Sequence, residues 1–360
     1  MTNPYHTRFM QRALELAAIG GRAVMPNPMV GSVVVHDNKI VGEGYHERYG
    51  GPHAEVHAIQ AVADKDLLKQ ATLYVSLEPC SHFGKTPPCA DLILRSQIPT
   101  VIVGCRDPFP EVSGRGIQKL RDAGITVIED VLASECIMLN KRFITAHRNK
   151  RPYVILKWAE TADGFIAPSD RARTWISCEA SRTLTHQWRA EEMAICVGYN
   201  TARLDDPELT VRHVAGNNPL RVTVDNTLSL PTSLKIFNNE ADTLVLNSIK
   251  DDKRGSCEWK RYDPALSTAH AVLSELYARN ATSVIIEGGA KTLQEFIDLN
   301  LWDEARVFVG QQRFGDGIRA PILPTSPQQT SCSGDDTLKI FFHPQFEVRL
   351  GLSGSTPKPH

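Results

Sequence analysis

GGPHAEVHAI (Gly50–Ile59) and SLEPCSHFGKTPPCA (Ser76–Ala90) are the stretches on which the fold of the first half turns. In the first, glycines and Pro52 interrupt the chain and a helical apolar pattern opens at His53, so His53 and Glu55 stand at a helix mouth. In the second, a buried strand runs out into Pro79-Cys80, and Cys89 follows after eight intervening residues. One neutral imidazole and two thiolates suit a zinc ion, and three protein donors leave a fourth position for water. Zinc lowers the pKa of bound water towards about 7. Glu55 is then placed to carry protons without being a ligand. A purely structural zinc would need a fourth donor. The nearest candidates are His57, one helical turn beyond His53 and read as a packing residue, and His82, read as facing a substrate.

Working outward, alternating helices and strands predict an α/β layered architecture. Helices are expected over about Arg8–Ile19, from His53, over Ala90–Ser96 and over Gly116–Gly124. Strands are expected at Val30–Val35, Lys39–Tyr45, Ala71–Leu77, Thr100–Gly104 and Ile125–Asp130. A charged segment, Lys141–Arg151, precedes a new apolar strand at Pro152–Ala159 and marks the best domain boundary. The second half repeats the pattern with a helix at Glu179–Ala190 and strands at Leu220–Asp225, Asp242–Asn247 and Thr282–Gly289. The polar segment Pro324–Asp336 reads as a loop. The division is therefore 1–148 and 149–360, as the 360-residue length suggests at roughly 150 residues per domain.

Composition narrows the function classes. Hydrophobic residues make up 42% of the chain, enough for sizeable cores. Forty Lys and Arg against 41 Asp and Glu leave a net charge of -1, which argues against a general nucleic-acid binder. No apolar run approaches the ~20 residues of a membrane helix, so no membrane partner is expected. The N-terminus lacks an uninterrupted apolar core, and eight cysteines spread through the chain do not form a disulfide scaffold. A cytoplasmic protein with reduced thiols is expected.

Zinc deaminase signatures ordinarily carry two residues between their cysteines. The longer spacing here gains meaning from PNPMVG (Pro26–Gly31), GEGYH (Gly42–His46) and the insertion SHFGKTPPC (Ser81–Cys89). Together these resemble the deaminase domain of the bifunctional riboflavin-biosynthesis deaminase/reductase family, over about Tyr5–Arg148. The resemblance implies a cytidine-deaminase-like three-layer fold and a diaminopyrimidinone substrate carrying a phosphoribosylamino group. It places Asn27 beside the pyrimidine, and His46, His82 and Lys85 along the substrate cleft. An amide such as Asn27 can read a donor and an acceptor on one base edge. Lys85 would neutralise a phosphate as a point charge.

The second half carries SVIIEGGAKT (Ser283–Thr292), in which Gly288-Gly289 link a buried strand to a helix. Small residues let backbone approach a phosphate, and a helix N-terminus favours an anion. A complete G-x-G-x-x-G is absent, so a Rossmann assignment is unsupported. RPYVILKWAETADGFIA (Arg151–Ala167), RTWIS (Arg173–Ser177), the run Gln187–Arg212 and PLRVTVDN (Pro219–Asn226) resemble, in order, the same family's reductase domain. The resemblance implies a dihydrofolate-reductase-like fold using NADPH. Cofactor positions transferred in this way are Ala159, Trp175, Thr201, Asp205, Asn226 and the run Gly289, Ala290, Lys291, Thr292, Leu293, Gln294 and Glu295. Substrate positions are Arg173, Arg189, Leu209, Arg212 and Glu287. Guanidinium groups suit a substrate that retains its phosphate.

The expected function is therefore two consecutive steps, with Zn2+ and NADPH as cofactors. The first half hydrolyses a pyrimidine amine with His53, Cys80 and Cys89 as metal donors and Glu55 as proton carrier. The second reduces a ribosyl group to ribityl, with Lys157, Asp163 or water as the proton donor. The expected partner is a small phosphoribosylated pyrimidine, with no nucleic acid, in a homo-oligomer. The rival reading is a nucleic-acid base deaminase with an auxiliary nucleotide-binding domain.

Overall fold

A computed structural model describes residues 3–81, 87–109, 113–170, 172 and 174–352, so His82, Lys85 and Arg173 lie outside the described residues. The chain forms two compact units, residues 1–149 with 347–360, and Lys150–Phe346.

In the first unit, α1 (Pro4–Gly20) leads into β1 (Gly31–His36) and β2 (Lys39–Tyr45). Then come α2 (Ala54–Ala61), β3 (Thr72–Leu77), α3 (Cys89–Arg95), β4 (Thr100–Cys105), α4 (Arg115–Asp122), β5 (Thr126–Ile128), α5 (Ala133–Leu139) and α6 (Lys141–Asn149). The sheet order is β2-β1-β3-β4-β5. β1 is antiparallel to β2 and β3, and β3, β4 and β5 are mutually parallel. Side chains alternate across the pleat. Val33, Val35, Tyr74 and Ile102 therefore pack with Phe9, Met10 and Ala13 of α1 and Cys136 of α5. Val34, Leu73, Val75, Val101 and Val103 pack on the opposite face with Ala58, Ile93, Ile117 and Leu120 of α2, α3 and α4. The result is three layers, helix on sheet on helix.

The second unit contains β6 (Tyr153–Glu160), β7 (Phe165–Pro168), α7 (Glu179–Glu191), β8 (Ala194–Val197), α8 (Tyr199–Asp205), β9 (Leu220–Val224) and β10 (Thr243–Asn247). It continues through β11 (Asp252–Arg254), β12 (Cys257–Arg261), α9 (Thr268–Ala278), β13 (Ser283–Glu287), α10 (Ala290–Asp298) and β14 (Glu304–Val309). It closes with β15 (Gly317–Arg319), β16 (Gln329–Ser333) and β17 (Asp336–Phe342); α11 (Phe346–Leu350) follows. Ten strands form one sheet in the order β11-β12-β10-β9-β8-β13-β6-β14-β17-β16. From β12 to β14 neighbouring strands are parallel, and both flanks are antiparallel. Apolar side chains of β6, β8, β9, β10, β13 and β14 share one core with α9, α10 and Trp302. Open α/β sheets bind ligands beyond the carboxyl ends of their parallel strands. Here those ends carry Ala159, Gly198, Asn226 and Glu287–Gly289.

The structure departs from the sequence reading in three places. The charged segment read as a domain boundary begins with a helix, Lys141–Asn149, in which Ile144, Thr145 and Ala146 bury one face. Asn149 and residues 347–352 group with the first unit, whereas the sequence reading assigned them to the second. Leu350 is buried, and the Arg148 guanidinium lies against the backbone at Gly351. Finally, the polar stretch read as a loop contains β16, an edge strand with four of its five residues exposed. It carries no apolar alternation because its ladder hydrogen bonds and the buried Ser333 hydroxyl, not apolar side chains, hold it in place.

Candidate functional site

The first site lies where three chain segments meet. His53 is the N-cap of α2, in extended backbone. β3 runs out through Glu78-Pro79 into Cys80, and Cys89 opens α3 directly after Pro88. The His53 ring nitrogen Nδ1 stands 3.2 Å from Cys89 Sγ and 3.5 Å from Cys80 Sγ. All three donor atoms lie within 4.8 Å of one another. The Cys89 backbone N–H donates to Cys80 Sγ at 3.3 Å. Hydrogen bonds from Cys89 and His53 draw the Cys80 thiol down towards its thiolate, and the same shared proton, with burial, pushes Cys89 up. Two soft sulfur donors and one imidazole converging on a single point are the chemistry of a tetrahedral zinc site with one open position.

Glu55 is 3% exposed, in the first turn of α2. Burial raises its pKa, the charge of His53 opposes that rise, and Cys80 adds to it. A carboxyl group poised in this way can both take and return a proton. His53, Glu55 and Cys80 line a cavity of about 580 Å³ together with Asn27, His46, Glu78, Asp107, Phe109, Arg115, Phe143 and His147, with Cys89 buried behind it. The His46 Nδ1–H donates to the Pro52 carbonyl at 2.9 Å, which leaves Nε2 to accept from Asn27 Nδ2 at 3.1 Å. That bond fixes which end of the Asn27 amide is turned to His46. Burial lowers the His46 pKa, so the ring stays neutral. His57 takes no part in the donor cluster, and its buried Nε2 has no hydrogen-bond partner.

Sequence reasoning missed Glu78. Its buried carboxylate accepts backbone N–H groups from Gly114 at 2.9 Å, Gly116 at 3.0 Å, Asp107 at 3.3 Å and Ile117 at 3.4 Å. It thereby ties the exit of β3, which bears Cys80, to the loop after β4 and the start of α4. A glutamate before Pro-Cys carries no local sign of this, because all its partners lie 29 or more residues away.

The second site gathers around Glu287 at the end of β13. β13 pairs in parallel with β6, and Glu287 stands in register with Lys157. Lys157 Nζ donates to Glu287 Oε1 at 3.1 Å. Arg189 of α7 reaches both carboxylate oxygens through Nη2 at 3.0 Å. Arg189 Nη1 also donates to the Thr210 carbonyl, while Arg212 Nη1 donates to Thr210 Oγ1 and Glu208. Buried Leu209, at φ 58°, precedes Thr210. Four of the five expected substrate residues thus converge around Thr210 and Glu287. Burial alone would raise the Glu287 pKa, but Arg189 and Lys157 outweigh it and hold the group at about 2.

Gly288 and Gly289 follow at φ 73° and 69°, a backbone region that disfavours side chains. A Cβ on Gly289 would lie 2.9 Å from Thr201 Oγ1, and one on Gly198 would lie 2.2 Å from Thr292 Oγ1. The start of α10 therefore packs against that of α8 around a cradle without side chains. No side chain caps α10, so its first N–H groups are available to an anion. Within the expected cofactor run the side chains of Leu293, Gln294 and Glu295 are engaged elsewhere. Leu293 is in the core, Gln294 bonds Asp298 and the Ile322 N–H, and Glu295 accepts the Ala269 N–H. Asp205 ends α8. Ala159 lies two residues beyond Lys157 on β6. Trp175 is exposed beneath the Arg182 guanidinium, 5.3 Å from its ring centre. Asn226 accepts from Tyr262 Oη and, through its carbonyl, from Ser248.

Comparison with known proteins gives a family match for each half of the chain. Residues 4–105 match the cytidine and deoxycytidylate deaminase zinc-binding region, and residues 152–340 match the RibD C-terminal domain. The chain belongs to the RibD family. It is 41% identical to the riboflavin biosynthesis protein RibD of Aquifex aeolicus, over 86% of this chain and 88% of that one. Against the Bacillus amyloliquefaciens RibD it is 38% identical, over 94% and 91%. A crystal structure from Thermotoga maritima, described as a diaminohydroxyphosphoribosylaminopyrimidine deaminase/5-amino-6-(5-phosphoribosylamino)uracil reductase, superimposes with a TM-score of 0.85 at 40% identity. That match covers 93% of this chain and 98% of the other. An Acinetobacter baumannii RibD superimposes with a TM-score of 0.84 at 32% identity, over 94% of this chain and 98% of that one. As a RibD, the protein is a bifunctional riboflavin-biosynthesis enzyme. Its deaminase half is zinc-dependent and its reductase half uses NADPH. Among the described residues no helix is long and apolar enough to cross a membrane.

Proposed function

We propose that the first unit replaces an exocyclic amine of a phosphoribosylated diaminopyrimidinone by oxygen, and that the second reduces the ribosyl group of the deaminated product to ribityl. The observation that carries the reading is buried Glu55 beside the His53, Cys80 and Cys89 donor cluster, in one cavity with the Asn27–His46 pair. Zinc, held by His53, Cys80 and Cys89, supplies a Lewis acid that makes water nucleophilic at neutral pH. Glu55 takes a proton from the attacking water and returns one to the departing ammonia. Asn27, oriented by His46, reads the pyrimidine edge.

In the second unit the uncapped start of α10, with Thr201, Thr292 and the glycine turn, would hold the phosphates of NADPH. NADPH supplies the two-electron reducing equivalent. Glu287 accepts hydrogen bonds from sugar hydroxyls, and Arg189 and Arg212 face the substrate's anionic end. Of the two side chains considered as proton donors, Asp163 is spent. Thr161 Oγ1 and the N–H groups of Gly315 and Phe314 bond its carboxylate and hold its pKa at about 2. Lys157, in register with Glu287, is the side chain left to serve.

The test is incubation with the diaminopyrimidinone ribotide, with and without NADPH, followed by mass analysis. Replacement of amine by oxygen is expected without NADPH, and a further gain of two hydrogens with it. Glu55→Gln should lower deamination by about 10²–10⁴-fold while zinc content stays unchanged. Near-normal deamination by that variant would assign the proton to another group. Deamination that requires added RNA or DNA would favour the nucleic-acid reading instead.

A further inference from the structure

We infer that Arg115 receives the phosphate of the ribotide in the first-unit cavity, as a specificity-determining residue held in place by Glu78. The inference rests on the deaminase reading above and assigns a residue that the sequence motifs do not single out.

A bound phosphate calls for a cation here. Three carboxylates line the cavity, those of Glu55, Glu78 and Asp107. A phosphomonoester brings close to two further negative charges near neutral pH. Among the described lining residues Arg115 is the one guanidinium or ammonium group. Of the lining histidines, His46 donates to the Pro52 carbonyl and accepts from Asn27, His53 is a metal donor, and His147 packs against Phe109 and Phe143.

The N-terminus of α4 is not itself a free anion site, because the Glu78 carboxylate already accepts its Gly116 and Ile117 N–H groups. What remains is the Arg115 side chain. Gly114 and Gly116, on either side of Arg115, are both bonded to Glu78. The backbone of Arg115 is therefore pinned while its guanidinium is left exposed at the cavity wall. Nearby arginines are already committed, since Arg106 and Arg121 both pair with Glu129, at 2.6 and 2.8 Å. No carboxylate among the described residues pairs with Arg115. A planar guanidinium offers a phosphate two parallel donors, a geometry lysine lacks. At about 580 Å³ the cavity is of the size that accepts a small nucleotide-like ligand.

The test compares deamination of the ribotide with that of the same compound lacking its phosphate, using the full-length zinc-loaded protein. Arg115→Gln is expected to raise KM for the ribotide about tenfold to hundredfold, with kcat nearly unchanged and KM for the phosphate-free compound unmoved. Arg115→Lys should recover part of the loss. An unchanged ribotide KM in Arg115→Gln overturns the inference while leaving the deaminase reading intact. So does an equal rise for both compounds, which would mean a structural role. Phosphate discrimination lost in Lys85→Ala but kept in Arg115→Gln overturns it as well. Wild-type protein that deaminates neither compound overturns the deaminase reading and this inference with it.

Discussion

Glu287 shows how much one side chain can depend on its neighbours. It is a half-buried carboxylate whose pKa burial alone would raise, yet Lys157 at 3.1 Å and Arg189 at 3.0 Å keep it ionised. Its folded pKa of about 2 lies below the ordinary 4.5, so its contribution to stability is complete above about pH 4.5 and is lost as pH falls towards 2. Glu287→Gln should therefore flatten the acid limb of the unfolding curve for the second unit. At neutral pH it should cost about 3–5 kcal/mol, because two buried cations lose their anion. Urea unfolding of both proteins at pH 3, 4 and 7 measures this, and parallel pH profiles would refute it. The metal donors were legible in the sequence because ligand chemistry restricts residue type and spacing. Glu78 was not, since its partners at Asp107 and beyond are brought to it only by the sheet.

Among the elements, the strands buried on both faces were plainest in the sequence. β6, β10 and β13 read as continuous apolar runs because the sheet buries them. α6 and β16 escaped because a charged helix face and a polar edge strand look like linker and loop until a partner is seen. The junction between the exit of β3 and the start of α4 was equally hidden, although it positions Cys80. A Cβ on Gly116 would stand 2.0 Å from the Pro79 carbonyl oxygen, a backbone atom that cannot swing aside. Gly116→Ala should push Pro79-Cys80 out of place and reduce bound zinc. Gly124→Ala, at φ 83° with open space around it, is the control. It should cost about 1–2 kcal/mol of backbone strain and leave zinc content near one per chain. Elemental analysis and thermal unfolding of the two variants separate these outcomes. Equal zinc in both would show that the junction does not set the metal geometry.

At the scale of the whole molecule, each set of chemical residues falls inside one compact unit. His53, Glu55, Cys80 and Cys89 lie before Asn149, and Lys157, Arg189, Arg212 and Glu287 lie between Lys150 and Phe346. The sequence reading sets its division at 148/149 because apolar periodicity restarts at Tyr153; by contact the chain groups up to Asn149 and again from Glu347, and a chain returning to an earlier unit leaves no local pattern. If neither site borrows a residue from the other unit, their defects must be separable. Glu55→Gln protein should still reduce the deaminated ribotide, consuming NADPH in proportion to product. Glu287→Gln should lose reduction yet keep deamination within about twofold of wild type, as substitutions without shared partners behave independently. The two rates, measured on the same preparations with each substrate supplied separately, decide the matter. Loss of zinc-dependent deamination in folded Glu287→Gln protein would mean that the sites are composite, and that the boundary at Asn149 divides the fold without dividing the chemistry.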